Sequence, residues 1–138
     1  MASVQTVDCA VKRGLFRCRE TAAGVCVYCG GPFCARHGVF LDEGEQVCAR
    51  KFCVAKRRDL DQHLVYKQDV LNLNRQRQCG ITGCGSPFTE QCSRCKGYFC
   101  ARHLDARDDP VLENGVKVPR MASMCSHCWR RRPIWTRI

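Results

Sequence analysis

A twelve-residue stretch of this chain occurs twice, with eight of its positions identical. Cys26-Val-Tyr-Cys29-Gly-Gly-Pro-Phe-Cys34-Ala-Arg-His37 returns sixty-six residues later as Cys92-Ser-Arg-Cys95-Lys-Gly-Tyr-Phe-Cys100-Ala-Arg-His103. Both copies keep the spacing C-x2-C-x4-C-x2-H, and Gly, Phe, Ala and Arg recur at matching places. Two residues between sulfurs let a short turn present both to one ion, so this is metal-ligand spacing. The repetition also runs outward: seven residues separate Cys18 from Cys26, and seven separate Cys84 from Cys92. A chain built in this way is a tandem of one metal-binding unit.

The repeat divides the 138 residues into a first unit over residues 1–53, a helical linker over residues 54–78, a second unit over residues 79–128 and a basic, aromatic tail over residues 129–138. Units of about 50 residues bury too little apolar surface to be comfortably stable alone, and they use disulfides or metal instead. Residues 1–8 lack the basic start and apolar run of a secretion signal, and no 18-residue apolar segment exists. The chain is therefore expected to be intracellular, cytoplasmic or nuclear, and not to span a membrane. Thiols stay reduced in that setting, which favours zinc over disulfides. Fourteen cysteines and the two repeated histidines supply sixteen ligands, enough for four tetrahedral zinc sites with none left over.

The same chemistry corrects the charge. Zinc-bound cysteines are thiolates, so a site of three cysteines and one histidine carries −1 and an all-cysteine site −2. Two of each lower the formal +10 to about +4. The protein is basic, but less so than its lysines and arginines suggest, which weakens a nucleic-acid reading without removing it.

Along the chain, residues 1–8 read as a short strand or frayed end. Between Cys9 and Cys18 a loop or small hairpin is expected to turn at Gly14. Residues 39–48 read as two strands around a Glu-Gly turn, after which Cys48 and Cys53 close the first unit. Residues 54–74 carry the strongest helix signal: Leu60, Leu64 and Leu71 fall near one face, with Val54 and Tyr66 nearby and no Pro or Gly. An amphipathic connector packed on the first unit is the expectation, with His63 facing solvent because the ligand count is already complete. In the second unit, Asn114-Gly115 between apolar runs signals a type I′ hairpin, and Cys125-Ser-His-Cys128 closes the unit. The fold class expected is a small zinc-stabilised α+β protein.

Two wirings are open. In a sequential scheme Cys26, Cys29, Cys34 and His37 share one zinc, and the outer four cysteines share another. In an interleaved scheme ligand pairs alternate. Cys9, Cys18, Cys34 and His37 then form one site and Cys26, Cys29, Cys48 and Cys53 the other. The second unit follows with Cys79, Cys84, Cys100 and His103, and with Cys92, Cys95, Cys125 and Cys128. Alternation is favoured, because each zinc then bridges distant segments of a unit that has little core.

The order C-x4-C-x7-C-x2-C-x4-C-x2-H with a closing cysteine pair resembles the B-box zinc finger and, more broadly, the RING-type cross-brace. The likeness covers residues 79–128 well and 9–53 less well, since Cys9 to Cys18 is a wide opening pair. The closing Cys125-x2-Cys128 is RING-like, whereas B-boxes usually end with His and Cys or His. The resemblance implies two tandem cross-brace fingers acting as a protein-interaction module, many such fingers belonging to ubiquitin-type ligases or adaptors. A RING-type ligase has no nucleophile of its own and acts by positioning a charged conjugating enzyme. By that resemblance Ile81 would touch the enzyme in the second unit, with Val11, Leu15 or Phe16 in the corresponding place of the first. Arg130, beside Trp129 just beyond the last ligand, would contact the carried modifier.

No site is left with three ligands and an open position, and no phosphate loop or Ser-His-Asp pattern occurs, so a classical active site is not expected. The rival class is nucleic acid. Trp129 and Trp135 stand among four arginines, Lys56, Arg57 and Arg58 form a second basic cluster, and Arg75 and Arg77 add to the linker. Aromatic–cation mixtures of this kind suit RNA or single-stranded DNA.

Overall fold

A computed structural model of the chain describes residues 7–13 and 15–136. The strand or frayed end expected over residues 1–8 lies, for residues 1–6, outside the described residues; Asp8 forms an antiparallel bridge with Thr21. The fold is small α+β. Among the described residues there are two α-helices and six antiparallel strand pairs. None of the described helices is long and apolar enough to cross a membrane. The chain divides into two compact units, Met1–Leu60 with Ile134–Ile138, and Asp61–Pro133.

Three hairpins build the first unit. Strand β1 (Lys12–Arg13) pairs with β2 (Phe16–Arg17), β3 (Gly24–Val25) with β4 (Pro32–Phe33), and β5 (Gly38–Phe40) with β6 (Gln46–Cys48). The first of these is the expected hairpin, although Gly14 itself lies outside the described residues. In the second unit β7 (Glu90–Gln91) pairs with β8 (Tyr98–Phe99), and a short 3₁₀ turn (Ala101–His103) leads into β9 (Leu104–Asp108). Strands β10 (Val111–Glu113) and β11 (Val116–Val118) then form a nested hairpin, before β12 (Met121–Cys125) returns to pair with β9. Asn114 and Gly115 both have positive φ, 50° and 78°, as a type I′ two-residue loop requires.

The two units repeat one ladder. In each, the strand that follows the repeated histidine pairs with the strand that ends in a closing cysteine. Cys48 lies opposite Gly38, and Cys125 opposite Leu104. Phe33 and Phe99 hold matching places in the repeat, and both are fully buried. Few other apolar side chains join them. Val11 and Val47 complete the first core, and Val70, Leu104 and Met124 the second; cysteines fill the remainder. Cores this small cannot offset the entropy of ordering fifty or so residues.

Helix α1 (Lys51–Arg75) starts earlier than residue 54 and brings Cys53 into the core of the first unit. Its packing departs from the expected connector. It is not confined to the first unit, because Tyr66 and Val70 belong to the core of the second. The Leu64 and Leu71 stripe is exposed. Glycines decide which face is buried: a Cβ on Gly80 or Gly97 would lie 2.8 or 2.5 Å from Val70 Cγ1. Their lack of side chains makes room for Val70. The described part of the tail, residues 129–136, is helical. Helix α2 (Ser126–Thr136) takes it up and continues past Pro133, a residue that reads as a breaker in sequence.

Candidate metal centres

Four sets of side chains bring their ligand atoms within 4.8 Å of one another. They are Cys9, Cys18, Cys34 and His37; Cys26, Cys29, Cys48 and Cys53; Cys79, Cys84, Cys100 and His103; and Cys92, Cys95, Cys125 and Cys128. In each unit the first pair along the chain meets the third, and the second meets the fourth. Among the described residues Cys26 and Cys29 do not join Cys34 and His37, as the sequential scheme would need. Local structure explains the grouping. The Cys26 turn is closed by Gly30 N–H donating to Cys26 O at 2.9 Å, and the Cys92 turn by Lys96 N–H donating to Cys92 O at 3.1 Å. These turns bring their paired sulfurs to the strand that ends in Cys48 or Cys125, while β4 and β8 lead into Cys34 and Cys100, which join the other set of their unit.

The distances discriminate between bonding schemes. Cys18 and Cys34 sulfurs are 4.0 Å apart, Cys29 and Cys48 3.8 Å, Cys84 and Cys100 3.8 Å, and Cys95 and Cys125 3.9 Å. A disulfide would need about 2.05 Å, and all fourteen cysteines are free. His37 Nδ1 lies 3.6 Å from Cys9 Sγ and 3.3 Å from Cys34 Sγ; His103 Nδ1 lies 3.5 Å from Cys79 Sγ and 3.2 Å from Cys100 Sγ. For zinc bonds of about 2.3 Å to sulfur and about 2.0 Å to nitrogen, tetrahedral edges come to about 3.8 Å and about 3.5 Å. The donor sets fit that ion in both distance and type.

Electrostatics point the same way. In the first all-cysteine set burial disfavours the Cys26 thiolate, yet the N–H groups of Cys48, Cys29 and Tyr28 bring Cys26 down to about 7. Burial pushes Cys48 up to about 11 and drives Cys53 higher still. In the second set hydrogen bonds from Cys125 and Cys128 hold Cys92 far below the ordinary thiol range, while contact with Cys125 raises Cys95 and Cys128. Beside the mixed set, the amide and hydroxyl of Ser86 hold Cys84 down to about 6. Crowded sulfurs thus shift one another in opposite directions. A dication lets all of them ionise.

Groups around the ligands orient the sulfurs, and sequence spacing did not disclose them. Arg50 donates from Nη1 to Cys29 Sγ at 3.3 Å and from Nη2 to the Ala10 carbonyl at 3.0 Å. Tyr66 donates its hydroxyl to Cys125 Sγ at 3.4 Å. His63 was expected to face solvent. It is half-buried instead, its Nδ1 3.0 Å from His127 Nε2, and the His127 ring stacks on Tyr66 at 3.8 Å. The signal for Arg50 is its place between Cys48 and Cys53. Tyr66 and His63 carry none, because a long-range packing decision selects their helix face.

The three residues singled out for partner contact occupy different surroundings. Ile81 is half-buried against the second core, its carbonyl accepting from Cys84 N–H at 3.0 Å. Trp129 is half-buried, with the Arg107 and Arg132 guanidinium groups 4.8 and 4.7 Å from its ring centre. Arg130 is exposed, and its Nε donates to the Ser126 carbonyl at 3.3 Å. No protein-family model, curated protein or solved structure matches this chain.

Proposed function

We propose that the chain is a tandem zinc-finger module of interleaved, cross-brace type whose two units hold surfaces for a protein partner. One observation carries this reading: the sixteen Cys and His ligands fall into four complete donor sets. A complete tetrahedral set has no open position for substrate, so the metal serves structure and the exposed residues serve recognition. Zinc would be held by three cysteines and the Nδ1 of one histidine in one site of each unit, and by four cysteines in the other. The likeness to B-box and RING fingers names the partner class: a conjugating enzyme carrying a ubiquitin-type modifier, engaged as a ligase or as an adaptor. Catalysis in that case is positioning, with Arg130 contacting the modifier from the exposed side of α2.

The test is binding and discharge of thioester-charged conjugating enzymes by the zinc-loaded chain. Binding is expected, with Arg130→Ala slowing discharge more than it weakens binding. A full panel of such enzymes that neither binds nor discharges rejects this partner class.

A second reading, nucleic-acid binding, has its own supporting observation. Arg17, Arg19 and Arg36 line a cavity of about 460 Å3 in the first unit, beside the strongly exposed Phe16. Three guanidinium groups and an exposed ring suit a single strand. Titration with single-stranded RNA at several salt concentrations tests it: replacement of these arginines by glutamine should lower affinity and flatten the salt slope. Unchanged affinity rejects it.

A further inference from the structure

We propose that a groove in the second unit, between α1 and the turn that joins Cys95 to β8, docks an acidic helical segment of a partner protein through large apolar anchors. The proposal rests on the protein-interaction reading and deepens it by naming the partner's chemistry. The groove encloses about 410 Å3. Its apolar surface is Leu64, Val70, Leu71 and Tyr98, its cationic lining is Lys67 and Lys96, and Cys95 of the all-cysteine set borders it. Leu64, Leu71 and Tyr98 are 58, 45 and 41 % exposed. Single exposed apolar residues are ordinary, but three that share one concavity mark a site of association.

The groove is built before any partner arrives. Asn74 clamps its two walls together: Nδ2 donates to the carbonyls of Tyr98 and Gln78 at 2.9 and 3.0 Å, and Oδ1 accepts from Tyr98 N–H at 2.9 Å. Gly97 lets the turn approach Val70 more closely than any side chain would permit. The Tyr98 ring is braced by Phe88, with centroids 5.0 Å apart. Fixed walls lower the ordering cost of binding.

Shape and charge select the occupant. Leu64 and Leu71 are seven residues apart on α1, a separation of about 10.5 Å along its axis, which matches two anchors on a partner helix also seven apart. Both cationic lining residues are lysines, and no carboxylate lines the groove; Asp69, on the same helix, is not part of it. Acidic residues flanking the anchors would complement the two ammonium groups. The apolar floor offers nothing to a phosphate backbone, and a concave surface does not suit a lipid plane.

The experiment is a selection. A displayed library of random 16-residue peptides is panned on the zinc-loaded full chain and counter-selected on Leu64→Asp/Leu71→Asp, both exposed positions. Enriched peptides are expected to carry large apolar residues at helical spacing with an excess of Asp and Glu. Lys67→Glu/Lys96→Glu should weaken them by at least about 10-fold, and peptides with their acids changed to lysine should bind that variant better than the unaltered chain. Both variants should keep the metal content and far-UV spectrum of the unaltered chain. Absence of enrichment beyond the counter-selection overturns the proposal, as do enriched peptides that are basic. A concentration-dependent dimer dissolved by Leu64→Asp/Leu71→Asp also overturns it, because a second copy would then be the occupant. Conjugating-enzyme binding that persists in the Leu64→Asp/Leu71→Asp variant separates failure here from failure of the broader reading.

Discussion

Tyr66 donates its hydroxyl to the sulfur of Cys125 across 3.4 Å, and so ties the middle of α1 to an all-cysteine donor set. Burial, reinforced by that sulfur, pushes the Tyr66 phenol up, so it remains a donor at any working pH. The stacked ring of His127, itself between two ligands in sequence, fixes the phenol further. Tyr66→Phe keeps the ring and removes the hydrogen bond. It should weaken metal at the site of Cys92, Cys95, Cys125 and Cys128 by about 10-fold while sparing the other three. Competition with a chromophoric chelator reads this, and equal effects at all four sites would contradict it.

Metal content follows from the four donor sets. Elemental analysis should find four zinc ions per chain, and chelation should unfold both units, because three or four buried apolar side chains per unit cannot maintain the fold. Loss of far-UV signal should track metal removal. Two or fewer ions after gentle purification would sink the scheme.

Wiring has its own signature. Cys100→Ser and Cys79→Ser should disturb one and the same metal, leaving the all-cysteine site of that unit occupied at first. In cadmium-substituted protein, Cys100 should couple to the metal that Cys79 binds. Coupling of Cys100 to the metal bound by Cys92 would establish the sequential arrangement instead.

Much of the site was legible from spacing alone, since a repeated C-x2-C-x4-C-x2-H pattern and an even ligand count leave few ways to group sixteen donors. The hairpin at Asn114-Gly115 was legible too, because two adjacent positive φ values demand that dipeptide. The buried face of α1 was not. Its leucines mark one stripe and the protein buries another, because Gly80 and Gly97, far along the chain, make space for Val70. The ladder of β9 with β12 was equally hidden: Leu104-Asp-Ala-Arg-Asp108 has only Leu104 as a large apolar residue, and Cys125, opposite Leu104, lies at the end of the ladder.

Trp135 and Asp59 offer a test of α2. The indole N–H donates to the buried carboxylate at 2.6 Å, and the ring meets Tyr28 edge-on at 5.8 Å. Trp135→Phe keeps an aromatic ring but withdraws a donor from a buried acid. It should destabilise the first unit by about 1–3 kcal/mol at fixed zinc, measured by denaturant midpoint. A change of a few tenths would show that the tail is an ornament to that unit.

Gly97 and Val70 give the sharpest test of the second core. A Cβ on Gly97 would sit 2.5 Å from Val70 Cγ1 and 3.1 Å from Phe99 Cε2, so Gly97→Ala should cost about 1–3 kcal/mol by overpacking. Val70→Ala alone should cost about 2 kcal/mol through the cavity it leaves. Together the two changes relieve the clash, and their combined cost should fall short of the sum by about 1 kcal/mol or more. Gly30→Ala is the control. Gly30 has φ +70° and open space around its Cβ position, so it should lose about 1–2 kcal/mol to backbone strain alone and add fully to Val70→Ala. Denaturant midpoints at one fixed free-zinc concentration measure the unaltered chain and the five variants. Full additivity for Gly97→Ala with Val70→Ala would mean that α1 does not set its buried face through that glycine.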